Sequence, residues 1–125
     1  MPRLLLIDDE SRVARALEFA FPQEMEIVSS ADAAGAVGTA TTVRPDLILL
    51  DIALGGASGL QVCRDLKADD RTRSIPVIVL SGQTDAVTKA EAFAAGAGDF
   101  VPKPFVPTEL MARIDAQLRR SEARG

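Results

Sequence analysis

The sequence predicts a doubly wound α/β domain: five parallel strands in the order 2-1-3-4-5, with helices on both faces. Three observations lead there. The runs Arg3-Leu-Leu-Leu-Ile7, Asp46-Leu-Ile-Leu-Leu-Asp51 and Pro76-Val-Ile-Val-Leu80 are continuously apolar, as strands buried on both faces of a sheet must be. Segments of helical character separate the strands, so the two kinds of element alternate five times, the pattern of a parallel sheet covered on both sides. Right-handed crossovers then restrict the possible strand orders to a few.

The first strand, Arg3 to Ile7, ends in Asp8-Asp9-Glu10. A helix follows, because Val13, Leu17 and Phe21 recur every four residues with Arg12, Arg15 and Glu18 between them. Pro22 stops it. Met25-Glu-Ile-Val-Ser29 alternates and reads as a second strand nearer an edge. Residues 31–41 are alanine-rich and read as the least stable helix, because Gly35 and Gly38 each cost about 1 kcal/mol against alanine in a helix interior. Thr41, Thr42 and Pro45 are expected to break it before the central strand.

That strand ends at Asp51, and Gly55-Gly56-Ala57-Ser58-Gly59 reads as a loop leading to a helix from Leu60 to about Ala68. Residues 69–74 are a polar turn. The fourth strand, 76–80, ends at Ser81-Gly82; Thr84 is placed to cap a helix running to Ala95, with Gly96 as its C-cap. Asp99-Phe-Val-Pro102 is a short fifth strand ending at Lys103-Pro104. Pro107 and Thr108 start a last helix with Leu110, Ile114 and Leu118 as its apolar stripe. Residues 1–120 are expected to form one domain, with 121–125 a frayed tail or the start of a linker.

Composition narrows the function. A chain of 125 residues, 47% hydrophobic and 26% charged, suits a globular domain with a single core. A net charge of -4 without a basic stripe argues against direct nucleic-acid binding. No apolar run nears the roughly 18 residues of a membrane span, and the N-terminus lacks a signal-peptide pattern. Cys63 is the lone cysteine, which excludes a disulfide framework and fits a reducing, cytoplasmic setting. The chain has no histidine. Ser-His and Cys-His nucleophile pairs, imidazole metal sites and a phosphohistidine on this chain are therefore all excluded.

In an open parallel sheet, ligands bind at the carboxyl ends of the strands, at the switch point of the winding. Here that point lies between the first and third strands and gathers Asp8, Asp9 and Asp51. Taken singly, each has an ordinary reading as a cap or turn residue. Together, three carboxylates in one crevice repel and call for a divalent cation. Oxygen ligands without histidine or cysteine point to Mg²⁺ or a similarly hard ion such as Mn²⁺. Ser81 and Lys103 end the next two strands, so acids, a hydroxyl and an ammonium converge. Such an anion site with its own cation suits a phosphoryl group.

These residues carry a resemblance. Asp8-Asp9, Asp51, Ser81-Gly82, Gly96-Ala-Gly-Asp-Phe-Val-Pro-Lys103-Pro104-Phe105 and the Glu109-Leu110 helix are similar, over essentially the whole chain, to the receiver domain of bacterial two-component response regulators, of the chemotaxis-regulator-like kind. The flavodoxin-like order 2-1-3-4-5 is well known from members of that family, so the two expectations are not independent. The resemblance implies that Asp51 is the phosphoacceptor, attacking a phosphohistidine on a histidine kinase or histidine phosphotransfer protein. It implies Mg²⁺ held by Asp9 directly, by Asp8 largely through water, by Asp51 and by the backbone carbonyl of Ala53. Lys103 would pair with Asp51 and then with the phosphoryl oxygens. Ser81 would swing to the phosphoryl group and Phe100 would rotate inward behind it. The face of the fourth helix, fifth strand and fifth helix would change and control an output domain or downstream protein. The domain would catalyse its own phosphorylation and slow self-dephosphorylation without being an enzyme in the ordinary sense. A cis Lys103-Pro104 bond is also implied.

The chain departs from the family in places. Leu54-Gly55 stands where Met-Pro is common, Phe100 replaces the commoner tyrosine, and Gly98 replaces the first of two acids frequent in transcription-factor receivers. Two other readings compete. A phosphohydrolase of the haloacid dehalogenase type needs a second aspartate two residues after the nucleophile, where this chain has Ala53. A phosphate-independent, receiver-like interaction domain is the alternative, against which the complete set of site residues argues.

Overall fold

Every expected strand is present. The structure, a computed structural model, describes residues 1–8, 12–52, 57–83 and 85–123. Its elements are β1 (Arg3–Ile7), α1 (Arg12–Ala20), β2 (Glu26–Ser30), α2 (Ala36–Val43), β3 (Leu47–Ile52), α3 (Ala57–Ala68), β4 (Val77–Ser81), α4 (Ala86–Ala94), β5 (Asp99–Pro102) and α5 (Pro107–Ala123). The strands are parallel and lie in the order β2-β1-β3-β4-β5, as expected. No helix among the described residues is long and apolar enough to cross a membrane.

The two-residue period of a strand divides the apolar runs between two cores. Leu5, Ile7, Ile48, Leu50, Val77, Val79 and Phe100 pack with Ala36, Leu60, Cys63, Leu66 and Ala92 on the side of α2, α3 and α4. Leu4, Leu6, Leu47, Leu49, Ile78, Leu80 and Val101 pack with Val13, Leu17, Leu110 and Ile114 on the side of α1 and α5. Each fully buried leucine or isoleucine contributes about 1.5–3 kcal/mol. A continuous apolar run, rather than an alternating one, is what burial on both faces requires.

Helix boundaries moved where local hydrogen bonds compete with the helix. The second helix starts at Ala36, five residues later than residue 31. Asp32 Oδ1 accepts a bond from the Gly35 N–H at 2.9 Å, which holds the preceding residues in a turn. Thr41 and Thr42 do not break the helix. Their hydroxyls donate to the carbonyls of Val37 and Gly38, four residues back, at 2.7 and 3.1 Å. The helix ends before Pro45, as expected, with Arg44 as its C-cap in the left-handed region at φ 52°. Only Ala36 and Ala40 of α2 are buried, and neither buries much area. The α2 amides should therefore exchange faster than those of α5, which anchors Leu110 and Ile114. Hydrogen exchange resolved by residue checks this, and greater protection in α2 would contradict it.

The third helix begins at Ala57, not Leu60, so Gly59 is helical rather than part of a loop. It packs closely on β3: a Cβ there would lie 2.2 Å from Ile52 Cγ2. The fourth helix runs only to Ala94, and Thr84, its expected cap, lies outside the described residues; Asp85 occupies the N-cap position without a side-chain cap bond. Gly96 does end the helix as expected. At φ 103° it donates its N–H to Phe93 O while Ala97 donates to Ala92 O, the paired bonds of a Schellman motif. The last helix continues past residue 120 to Ala123.

The polar turn after α3 holds a local ion pair. Asp69 accepts from the Arg71 N–H at 2.9 Å and from its guanidinium at 3.0 and 2.9 Å. Those bonds, the side-chain one foremost, lower the Asp69 pKa from its ordinary 3.8 to about 2. A carboxyl with a lower pKa in the folded state adds stability above its unfolded pKa and loses it as pH falls through the folded one. Asp69→Asn should therefore be less stable than the native chain at neutral pH, with the gap closing between about pH 4 and pH 2. Urea midpoints measured across that range test this; a gap that stays constant with pH would refute it.

Candidate functional site

The site forms where β1, β3 and the segment after β5 reach the carboxyl edge of the sheet. Asp8 follows β1 directly, and its N–H donates to Ser30 O at 3.0 Å, extending the pairing with β2 by one residue. Asp51 is the penultimate residue of β3, paired with Leu80 of β4. It has the same parity as Leu47 and Leu49, so its side chain belongs to the α1–α5 face. Lys103 leaves β5 with its N–H donating to Ser81 O at 2.8 Å. The Lys103-Pro104 peptide is cis, as expected.

Lys103 Nζ donates to both carboxylate oxygens of Asp51, each at 2.5 Å. The Asp51 side chain is 7% exposed and that of Lys103 35%. Asp8, Asp51 and Lys103 line one cavity of about 450 Å³, walled further by Arg12, Val13, Ala16, Pro104, Phe105 and Pro107. Its charged lining is Asp8, Asp51, Lys103 and Arg12; the remainder is apolar, from α1 and the segment leading to α5. Two aspartates with oxygen donors only, and neither histidine nor cysteine, suit a hard cation such as Mg²⁺. Asp9 and Ala53, the other expected ligands, lie outside the described residues.

Ser81 and Phe100 do not line this cavity. Ser81 is 1% exposed, and its parity is that of Val77 and Val79, on the α3–α4 face. Its Oγ accepts from the Gln83 N–H at 3.0 Å and donates to Gln83 O at 3.1 Å, a closed local turn. Phe100 is already inside at 5% exposure, packed in the core that includes Val79, Ala92 and Ala95. Behind it Arg113 clamps β5 to α5, its guanidinium bonding both Asp99 oxygens at 3.0 Å and Glu109 at 3.4 Å. Asp99, followed by Glu109, holds the Arg113 guanidinium above its ordinary pKa.

In the sequence Arg12 stands out only as part of a polar helix face. It opens α1, where the helix dipole disfavours a cation. That mismatch, two residues after a run of acids, is the signal the sequence carries. It places a second positive group at the cavity.

The response regulator receiver domain family model matches residues 4–115. The chain is 39% identical over 121 residues to the DNA-binding response regulator MtrA of Mycolicibacterium smegmatis, covering 96% of this chain and 52% of that protein. It is 38% identical over 119 residues to the phosphate regulon transcriptional regulatory protein PhoB of Escherichia coli, covering 94% of this chain and again 52% of the relative. The chain thus spans about half the length of these relatives. A response regulator crystal structure from Desulfuromonas acetoxidans matches with a TM-score of 0.82 and 31% identity, covering 95% of this chain and 98% of that one.

Proposed function

Because the chain belongs to the response regulator receiver domain family, we propose that Asp51 accepts a phosphoryl group and that the domain is a signalling switch. The observation that carries this is the Lys103 ammonium held on both Asp51 oxygens in an acid-lined cavity. One Asp51 oxygen attacks phosphorus; the bond from phosphorus to the donor breaks, and the donor leaves with its electron pair. With no histidine in this chain, the donor is the phosphohistidine of a histidine kinase or phosphotransfer protein, or a small acyl phosphate. Phosphoryl transfer is mostly positioning and charge neutralisation. Lys103 serves both: it orients the carboxylate beforehand and follows the transferred oxygens afterwards. Mg²⁺ or Mn²⁺, held by Asp8, Asp9, Asp51 and the Ala53 carbonyl, would supply the positive charge that lets the carboxylates share the cavity with a phosphoryl dianion.

For Ser81 to reach the phosphoryl group, its hydroxyl must leave Gln83. That exchange pulls on the segment between β4 and α4. With Phe100 already buried, movement of this segment carries the signal to the face of α4, β5 and α5, where Val87, Phe93 and Val106 are exposed. The partner there is an output domain or a downstream protein. We take residues 1–120 as the receiver, acting in the cytoplasm without itself binding nucleic acid, and hydrolysing its own aspartyl phosphate slowly.

Incubation with acetyl phosphate and Mg²⁺ should add one phosphoryl group by intact mass, and a chelator should prevent it. No addition in either condition would leave the phosphate-independent interaction domain as the better reading.

A further inference from the structure

A second cavity, of about 560 Å³, lies at the opposite edge of the sheet, where β4 and β5 begin. Three cations line it: Lys67 at the end of α3, Arg73 in the connection from α3 to β4 and Arg120 near the end of α5. No carboxylate among the described residues lines it, although the chain as a whole carries a net charge of -4. Like charges gathered in a concavity repel, and an anion between them relieves the repulsion.

The cavity is built rather than incidental. Lys67 Nζ donates to the carbonyls of Arg73 and Ile75 at 3.1 and 2.6 Å, which fixes its charge across the connection into β4. Gln117 is buried, and its Nε2 donates to Gly98 O at 3.2 Å. Two glycines make room for these walls. A Cβ at Gly98 would lie 2.3 Å from Gln117 Oε1, and one at Gly96 would lie 2.7 Å from Lys67 Cγ. Arg73 pairs with Asp70 at 3.1 Å, but both side chains are largely exposed and such pairs are weak. The Arg120 guanidinium makes no hydrogen bond or ion pair among the described residues, nor do the hydroxyls of Ser74 and Ser121.

We propose that this cavity binds the phosphate group of a small molecule, independently of Asp51. Guanidinium forks and hydroxyls match phosphate oxygens in both charge and geometry. The volume falls in the range of small-ligand pockets, about 300–1,000 Å³, and exceeds what a lone phosphate fills. The ligand class is therefore a phosphorylated metabolite of about mononucleotide size, whose phosphate lies between Arg73 and Arg120.

Amide NMR titration of the native chain without Mg²⁺ tests this, using inorganic phosphate in one arm and adenosine monophosphate in the other, at matched ionic strength. Saturable shifts are expected at Gly96, Gly98 and Ser121 in both arms. Tighter binding of the nucleotide is expected; equal affinity would overturn the mononucleotide-sized ligand and reduce the site to one for inorganic phosphate. The double variant Arg73→Gln and Arg120→Gln changes two exposed residues and should fold, but bind at least about tenfold more weakly, as expected for loss of a charge-assisted bond. It should still accept a phosphoryl group from acetyl phosphate. Asp51→Asn should bind the probes as the native chain does, so failure of the acceptor assignment would not disturb this result. Shifts that rise without saturating, or that persist unchanged in the double variant, would overturn the proposal.

Discussion

Asp51→Asn should gain no phosphoryl group under conditions in which the native chain gains one. The amide keeps the size of the carboxylate but lacks its nucleophilic oxygen, so the effect on modification is complete rather than partial. The fold should survive the change. Lys103 loses the charge of its partner, yet the amide oxygen can still accept its bond, its side chain is 35% exposed and its ammonium can be rehydrated. Against that small loss stands relief of the repulsion between Asp51 and Asp8 in one cavity. The stability change should therefore lie within about 1 kcal/mol of zero, of either sign. Intact-mass spectrometry after acetyl phosphate treatment, with urea unfolding of the same samples, checks both halves. Equal modification of the two proteins would place the acceptor elsewhere and remove the function proposed for this site.

The strands were legible because burial on both faces leaves a plain mark, a run such as Leu47-Ile-Leu-Leu50 with no polar residue in it. Asp51 and Lys103 were legible for a related reason: each ends such a run, and a parallel sheet sends all those ends to one edge. The parity of the strands is equally legible and divides these ends between the two faces. Ser81 lies two residues beyond Val79 and so faces α3 and α4, whereas Asp51 lies two beyond Leu49 and faces α1 and α5. Convergence at one edge does not by itself put side chains in one cavity.

Other features had weaker marks. Thr41 and Thr42 read as breakers because threonine competes for backbone bonds; here that competition is satisfied inside the helix by the carbonyls of Val37 and Gly38. The start of α2 depended on a single side-chain bond from Asp32, which no periodicity reports. The basic cavity left no local pattern, because Arg120 is far in the chain from Lys67 and Arg73, and only the packing of α3 and α5 around the starts of β4 and β5 assembles the three.

Lys103→Ala should slow phosphorylation of Asp51 by about 10²–10³, the usual cost of removing one group that stabilises developing charge. The native ammonium touches both Asp51 oxygens, and in the proposed transfer one of those oxygens forms the new bond to phosphorus. Alanine removes the charge that balances the incoming group and also the contact that orients the carboxylate. The metal should respond in the opposite way. A cation that competes for the same oxygens is gone, so Mg²⁺ affinity by calorimetry should hold or rise. Lys103→Arg restores the charge, but its planar fork does not reproduce a compact ammonium, so recovery should be partial. General damage to the fold would lower metal affinity and phosphorylation together, and a urea midpoint would expose it. Only loss of the phosphoryl contact separates the two readouts, with metal binding kept and transfer slowed. A native phosphorylation rate in Lys103→Ala would show that the ammonium on Asp51 orients nothing the chemistry needs.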